Sequence, residues 1–358
     1  MFSSWGSWLV PTVPPKFGGN MKAAVYTEPR KIIFDPNFPD PEMGDGVMIR
    51  VKASGVCATD IKAFKGLRFG MEPPMILGHE FAGEVIASTM DDYKIGDRIS
   101  AAPYAGCGFC NFCLDDHEEL CQNKVFTTNG CFAEKLFIPR DLVYKTGWKI
   151  APDVSYQAAA LAEPLACIVL SLKSCHWQPG WTIMVIGGGF MGILHVILTN
   201  AWGATKIILS EPNPQRRAFA EKMGAIVCDP SKVENLGDFA RKNTDGFGPH
   251  VVIASIANEK VVESAFDCPR AGGYYHMFGG LPKQSMINIP SYLTHYKEVS
   301  LVGTSGFRTK DYRLASRLIN EKKINLEPVL SSVFHLDQVG EAIEQAEQQN
   351  ILKAMIVE

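Results

Sequence analysis

The chain has 358 residues, of which 46% are hydrophobic and 20% charged, and a formal net charge of -3; this is the composition of a folded globular protein and excludes a disordered or fibrous one. So small a charge gives no electrostatic case for nucleic acid or an anionic membrane surface, and a small, roughly neutral substrate suits it better. At this length two domains of ordinary size are expected, each burying its own core.

Residues 1–20 contain Trp5, Trp8 and three prolines but neither a basic segment followed by a long apolar run nor a membrane-length stretch, so no signal peptide or membrane span is expected. Because Met21-Lys22-Ala23-Ala24-Val25-Tyr26 reads as a start followed by a strand, residues 1–20 are taken as an extension without an assigned function. Residues 21–173 carry short apolar or alternating runs broken by Gly and Pro, such as Val47 to Ala53, and predict a β-rich domain. The texture changes over 174–304. There Thr182–Ile186, a helical Met191–Ala201, Lys206–Ser210, a helical Arg216–Met223, His250–Ala254 and Tyr274–Phe278 alternate as strand and helix. Such alternation predicts βαβ units on a doubly wound parallel sheet, giving an α/β protein. Residues 305–358, with a helix over Asp311–Asn320 and a short β/α tail, are expected to return to the first domain.

Four cysteines, Cys107, Cys110, Cys113 and Cys121, form a CxxCxxCx7C run. Short loops that return thiolates to one point suit tetrahedral zinc, whose binding can fold a lobe that lacks a core of its own. Four sulfur ligands close the site, so the expected role is structural and the reaction must lie elsewhere. Ten cysteines in all would otherwise suggest disulfides; with four given to zinc and the rest mostly scattered, a reducing cytoplasm is the expected compartment.

Between the strand ending at Ile186 and the next helix lies Gly187-Gly188-Gly189-Phe190-Met191-Gly192. This GxGxxG match sits in strand-turn-helix context, where Gly187 and Gly189 permit the tight turn and the approach of backbone to pyrophosphate, and Gly192 lets helix and strand pack closely. The helix N-terminus then favours the phosphate charge. Glu211 ends the following strand, where a carboxylate accepts both ribose hydroxyls and repels a 2'-phosphate, favouring NAD over NADP. Arg216 and Arg217 follow, and offer instead adenine stacking or a phosphate contact.

Three fragments complete the pattern: Gly55-Val56-Cys57-Ala58-Thr59-Asp60, Gly78-His79-Glu80-Phe81-Ala82-Gly83-Glu84, and Ala162-Glu163-Pro164-Leu165. With the cysteine run between them and GxGxxG after them, the chain resembles the zinc-dependent medium-chain dehydrogenase/reductase family from Met21 to Glu358. The resemblance implies a GroES-like catalytic domain joined to a Rossmann domain, with the active site in the cleft between them. It also implies a second, catalytic zinc held by Cys57, His79 and Glu163, with Glu80 a ligand or a close neighbour. Thiolate, imidazole and carboxylate leave one zinc position open, and an open position supplies the Lewis acidity that ionises a hydroxyl. Thr59 matches the hydroxyl that passes the alcohol proton onward. The next relay member is usually a histidine, but Lys62 stands there, so the resemblance leaves the proton's exit open. Asp60 is taken as structural, and His117 and His195 as surface and packing residues.

Glu163 marks the branch. Classical liver-type alcohol dehydrogenases carry cysteine at the corresponding place, whereas Glu-Pro-Leu looks like sorbitol, butanediol and related polyol dehydrogenases; Arg308 lies where sorbitol-type enzymes place an arginine near substrate hydroxyls. The resemblance therefore implies NAD-linked oxidation of a secondary hydroxyl of a polyol or diol, with two zinc ions per subunit, in a homo-oligomer of two or four chains. L-threonine 3-dehydrogenase and 2,3-butanediol dehydrogenase are the alternatives in the same chemistry. A nucleotide-binding relative without turnover is the alternative outside it.

Overall fold

The computed structural model describes residues 19–68, 70–330 and 332–358, so most of the N-terminal extension lies outside the described residues. The chain divides into two compact units, one built from residues up to Ala166 together with Phe307–Glu358, the other from Cys167–Gly306.

The first unit is organised around the strand Gly46–Gly55. Its Val47, Ile49 and Val51 enter one apolar core with Phe81, Val85, Ile99, Leu136 and Ile356, as the two-residue period of a strand requires of one face. The sheet runs in the order Trp148–Lys149, Arg98–Ser100, Glu80–Ser88, Gly46–Gly55, Ala354–Val357, Ser332–His335, with Lys135–Pro139 also paired to Gly46–Gly55. This register places Gly55 opposite Glu80 on one side and Met355 on the other. The C-terminal tail thus closes over the strand that leads to Cys57.

The second unit has a six-stranded, wholly parallel sheet in the order Ile226–Cys228, Lys206–Ser210, Thr182–Ile186, Val251–Ala254, Tyr274–Met277, Ser300–Gly303. Thr182–Ile186 and Val251–Ala254 are buried at every residue, which is why they read as unbroken apolar runs. The Phe190–Ala201 helix follows the first of these strands and buries Gly192 through Thr199. The next helix runs Pro214–Lys222, two residues earlier than its apolar pattern predicts. The Asn213 side chain accepts the N–H groups of Gln215 and Arg216, and Pro214 suits the first helical position, so the cap sets the start. No helix among the described residues is long and apolar enough to cross a membrane.

Candidate metal and nucleotide sites

The Gly106-Cys107-Gly108-Phe109-Cys110 turn and the short Asn111–Leu114 helix bring Cys107, Cys110, Cys113 and Cys121 together, all four sulfurs within 4.8 Å of one another. Sulfur separations are 3.9 Å for Cys107–Cys113, 3.6 Å for Cys110–Cys113 and 3.7 Å for Cys110–Cys121. Zn–S bonds of about 2.3 Å in tetrahedral geometry put sulfurs about 3.8 Å apart, so the spacing fits zinc and exceeds a disulfide bond. Backbone N–H groups of Cys110, Cys107 and Asn123 point at the sulfurs of Cys107 and Cys121, which stabilises thiolates.

A second group lies in the same unit. Cys57 caps the Ala58–Phe64 helix, His79 immediately precedes the Glu80–Ser88 strand and Glu80 opens it; their ligand atoms lie within 4.8 Å of one another. Asp60, fully buried, organises them: its Oδ2 accepts the Cys57 N–H at 2.9 Å, and its Oδ1 accepts the Gly78 N–H at 3.1 Å and lies 3.3 Å from His79 Nδ1. An imidazole held at Nδ1 presents Nε2 as the free ligand atom. Burial opposes protonation of His79, but Asp60 and Cys57 outweigh it and hold its pKa well above the usual imidazole range. Surroundings that favour a proton's charge at this point favour a metal dication there too.

Glu80 is buried and forms an ion pair with Lys353, itself buried, whose Nζ also donates to the Val56 carbonyl at 2.9 Å. Sequence reasoning missed Lys353, since nothing near it in the chain distinguishes it from a surface lysine. Glu163, in the first turn of the Ala162–Ser174 helix, stands outside the tight trio but inside its electric field. Burial pushes its carboxyl up to about 7, with His79 and Lys353 pulling down and Glu80 and Asp60 pushing up. Thr59 is half-buried in the first turn of its helix, and Lys62 is exposed one turn on. Arg308, expected near substrate hydroxyls, is paired through its guanidinium with Asp116 at 2.9 Å and Glu119 at 3.1 Å in the four-cysteine lobe. His117 is exposed and contacts Glu119, whereas His195 is fully buried.

In the second unit, the glycine-rich turn ends with Gly189 as the residue that precedes the Phe190–Ala201 helix, with Phe190 and Met191 in its first turn. A Cβ on Gly189 would meet no atom within 4 Å, so the backbone there is open to a phosphate at the helix N-terminus. Glu211 is buried; its Oε2 accepts the Gly188 N–H at 2.6 Å and its Oε1 the Asn213 N–H at 2.8 Å, which fastens the turn to the next strand. Arg217 is occupied by the Glu211 and Pro212 carbonyls and by Asp229. Arg216 sits at the start of the following helix, its N–H on Asn213. A Cβ on Gly192 would lie 1.9 Å from the Gly187 carbonyl oxygen. Gly192→Ala is therefore expected to push the helix off the turn and raise the Kd for a dinucleotide, NADH or NADPH, about tenfold or more. A fluorescence titration checks this, and an unchanged Kd would mean the turn absorbs the methyl group.

Comparison with known proteins gives one match in each unit, the second running on past Gly306. Residues 44–148 match the alcohol dehydrogenase GroES-like domain and residues 191–321 the zinc-binding dehydrogenase domain. The chain is 30% identical over 350 residues to sorbitol dehydrogenase of Bacillus subtilis, covering 94% of this chain and 97% of the other. It is also 30% identical over 337 residues to L-threonine 3-dehydrogenase of Thermococcus kodakarensis, covering 90% and 94%. Among solved structures, a zinc-binding dehydrogenase from Sinorhizobium meliloti bound to NADP superposes with a TM-score of 0.87 at 29% identity, covering 94% of this chain and 99% of that one. Two domain models and full-length relatives agree with a GroES-like unit that gathers thiolate, imidazole and carboxylate and a Rossmann unit with its glycine turn; the chain belongs to the zinc-dependent medium-chain dehydrogenase/reductase family, an oxidoreductase family, on its sorbitol and polyol dehydrogenase branch.

Proposed function

We propose that the protein transfers hydride between NAD and a secondary hydroxyl of a polyol or diol, using a catalytic zinc held by Cys57 and His79 with Glu163 and Glu80 as the carboxylate partners. The observation that carries this reading is the donor set: one sulfur and one imidazole beside two buried carboxylates. When bound, zinc would supply Lewis acidity toward the substrate hydroxyl, and nicotinamide would accept the hydride.

The chain's own residues supply the rest. Asp60 fixes the ring of His79 and the backbone of Cys57, so the two ligands keep one geometry through turnover. Lys353 neutralises Glu80 and holds it from behind. Glu163, its carboxyl raised to about 7 by burial, can accept a hydrogen bond from a second substrate hydroxyl as a carboxylate or donate one as an acid. That versatility suits a vicinal diol better than a simple alcohol. Thr59, half-buried, would take the hydroxyl proton, and Lys62, at the next position of the relay, is exposed. Cys107, Cys110, Cys113 and Cys121 would hold the second, structural zinc.

Glu211 supports NAD because a buried carboxylate repels a 2'-phosphate, and Arg217 is already committed to carbonyls and Asp229. The relative bound to NADP makes the coenzyme an experimental question. A cytoplasmic homo-oligomer belongs to the same reading, and light scattering gives its mass.

Zinc-replete protein should reduce NAD in the presence of a polyol or diol, with kcat/KM for NAD exceeding that for NADP. The panel comprises sugar alcohols, vicinal diols, phosphorylated polyols and L-threonine. Turnover with L-threonine alone would move the protein to the alternative suggested by its Thermococcus relative, and preference for NADP would remove the role given to Glu211.

A further inference from the structure

Of the four acids in the four-cysteine lobe, Asp116, Glu118 and Glu119 face one short segment. Asp116 pairs with Arg308 at 2.9 Å and with Lys310 at 2.7 Å, and Glu119 pairs with Arg308 at 3.1 Å. Glu118 lies between them. Its Oε2 accepts the Thr309 N–H at 2.9 Å, and its Oε1 accepts both the Thr309 hydroxyl and, at 2.9 Å, the N–H of Gly106, the residue before the first cysteine.

Thr309 is the first residue of the twelve-residue Thr309–Asn320 helix, and Arg308 before it supplies no capping side chain. The first N–H groups of a helix need acceptors, and a carboxylate there also meets the positive end of the helix dipole. Glu118 thus caps the helix from a different part of the chain. One turn further on, Tyr312 is fully buried, and burial raises its hydroxyl's pKa, with the charge of Glu163 acting in the same direction. The helix also packs on Tyr156–Ala160, whose chain continues directly into the helix that bears Glu163.

We propose that Glu118 is a positioning residue for the catalytic site: by capping the Thr309–Asn320 helix it couples the order of the four-cysteine lobe to the packing of that helix on Tyr156–Ala160, which leads directly into the turn bearing Glu163. The lobe then does more than stabilise. Metal held by the cysteines would fix Gly106 and Glu118, Glu118 fixes the helix start, and the helix packs on the Tyr156–Ala160 segment that leads into Glu163. The inference rests on the zinc dehydrogenase reading, so one arm of its test is independent of turnover.

Glu118→Ala and Glu118→Gln are prepared in the full-length protein with both metals present. Hydrogen exchange is followed by mass spectrometry well below the unfolding temperature, beside metal content and steady-state kinetics. Glu118→Ala should keep its two metal ions per chain, lose about tenfold in exchange protection over 309–313, and lose about tenfold in kcat with unchanged Kd for the nucleotide. Glu118→Gln, which retains an acceptor, should recover most of both losses. A cap that only stabilised would lower the unfolding midpoint without moving kcat, which overturns the proposal, as does unchanged protection over 309–313. Loss of the lobe metal in Glu118→Ala together with the loss of kcat, uncorrected in Glu118→Gln, would also overturn it. If Glu118→Ala does not fold, Thr309→Val removes only the hydroxyl contact and should show the same pattern at smaller size. Should the parent protein oxidise nothing in the panel, the dehydrogenase reading falls while the exchange result still decides whether Glu118 orders the helix.

Discussion

Lys353→Met is expected to destabilise the catalytic unit by about 3–5 kcal/mol, the usual cost of leaving one member of a buried ion pair alone. Glu80 and Lys353 are 1% and 3% exposed, and the lysine Nζ meets the Glu80 carboxylate and the Val56 carbonyl. Methionine would fill much of the lysine's volume while removing its charge. The buried Glu80 carboxylate must then either take up a proton or stay uncompensated, and both cost free energy. Chemical denaturation of the two single variants and of the double variant Lys353→Met/Glu80→Gln separates charge from volume. The double variant should recover most of the loss, since a neutral pair no longer needs a partner; equal losses in single and double variants would show that the lysine matters only as packing. Gly55 bears on the same contact. A Cβ there would sit 1.9 Å from Glu80 Oε2 and 2.9 Å from the lysine side chain, so Gly55→Ala should displace the pair without touching a charge.

Lys353 and Glu80 also mark the limit of what the sequence discloses. The four cysteines are legible because their ligands are close in the chain and the chemistry requires that spacing. The glycine turn is legible because a buried parallel strand, Thr182–Ile186, precedes it and an apolar helix follows. Cys57, His79 and Glu163 come from three distant segments, and only the resemblance to a family joins them; the structure adds Asp60 as the residue that aligns the first two. Lys353 and the lobe acids were not legible at all. Their partners lie far away in sequence, at Glu80 and at Arg308 to Lys310, and a charged residue gives no local sign that it will be buried or paired. The Thr309 helix start was hidden for the same reason: its capping group is Glu118, so the chain around Thr309 carries no capping side chain of its own. His195 shows the converse, an ordinary member of an apolar helix whose full burial makes its charge state decisive.

Acid should weaken the Rossmann unit well before its carboxylates protonate, because two histidines there are buried neutral. His195 is fully enclosed, its Nε2 on Ser171 Oγ at 3.0 Å, its Nδ1 on the Met191 carbonyl at 2.9 Å, and its ring against Phe278. His276 is equally buried, with Nε2 3.2 Å from Thr304 Oγ1 and no hydrogen-bond partner for Nδ1 among the described residues. Burial lowers the first to about 3 and the second to about 4, and for His195 the neighbouring His276 adds to the effect. Folded values below the unfolded 6.5 mean that the unfolded chain binds protons first. Their contribution to stability is complete above pH 6.5 and is lost as pH falls from there toward 4 and then 3. At pH 5 each histidine should have cost about 2 kcal/mol relative to pH 7.5. Denaturation midpoints measured from pH 7.5 to 5 for the parent and for His276→Phe test this. The variant should lose about 2 kcal/mol less than the parent across that window, since the other titrations, in both units, cancel in the difference. Parallel curves would show that His276 is protonated in the folded protein, and that a charge is tolerated within the sheet's apolar surroundings.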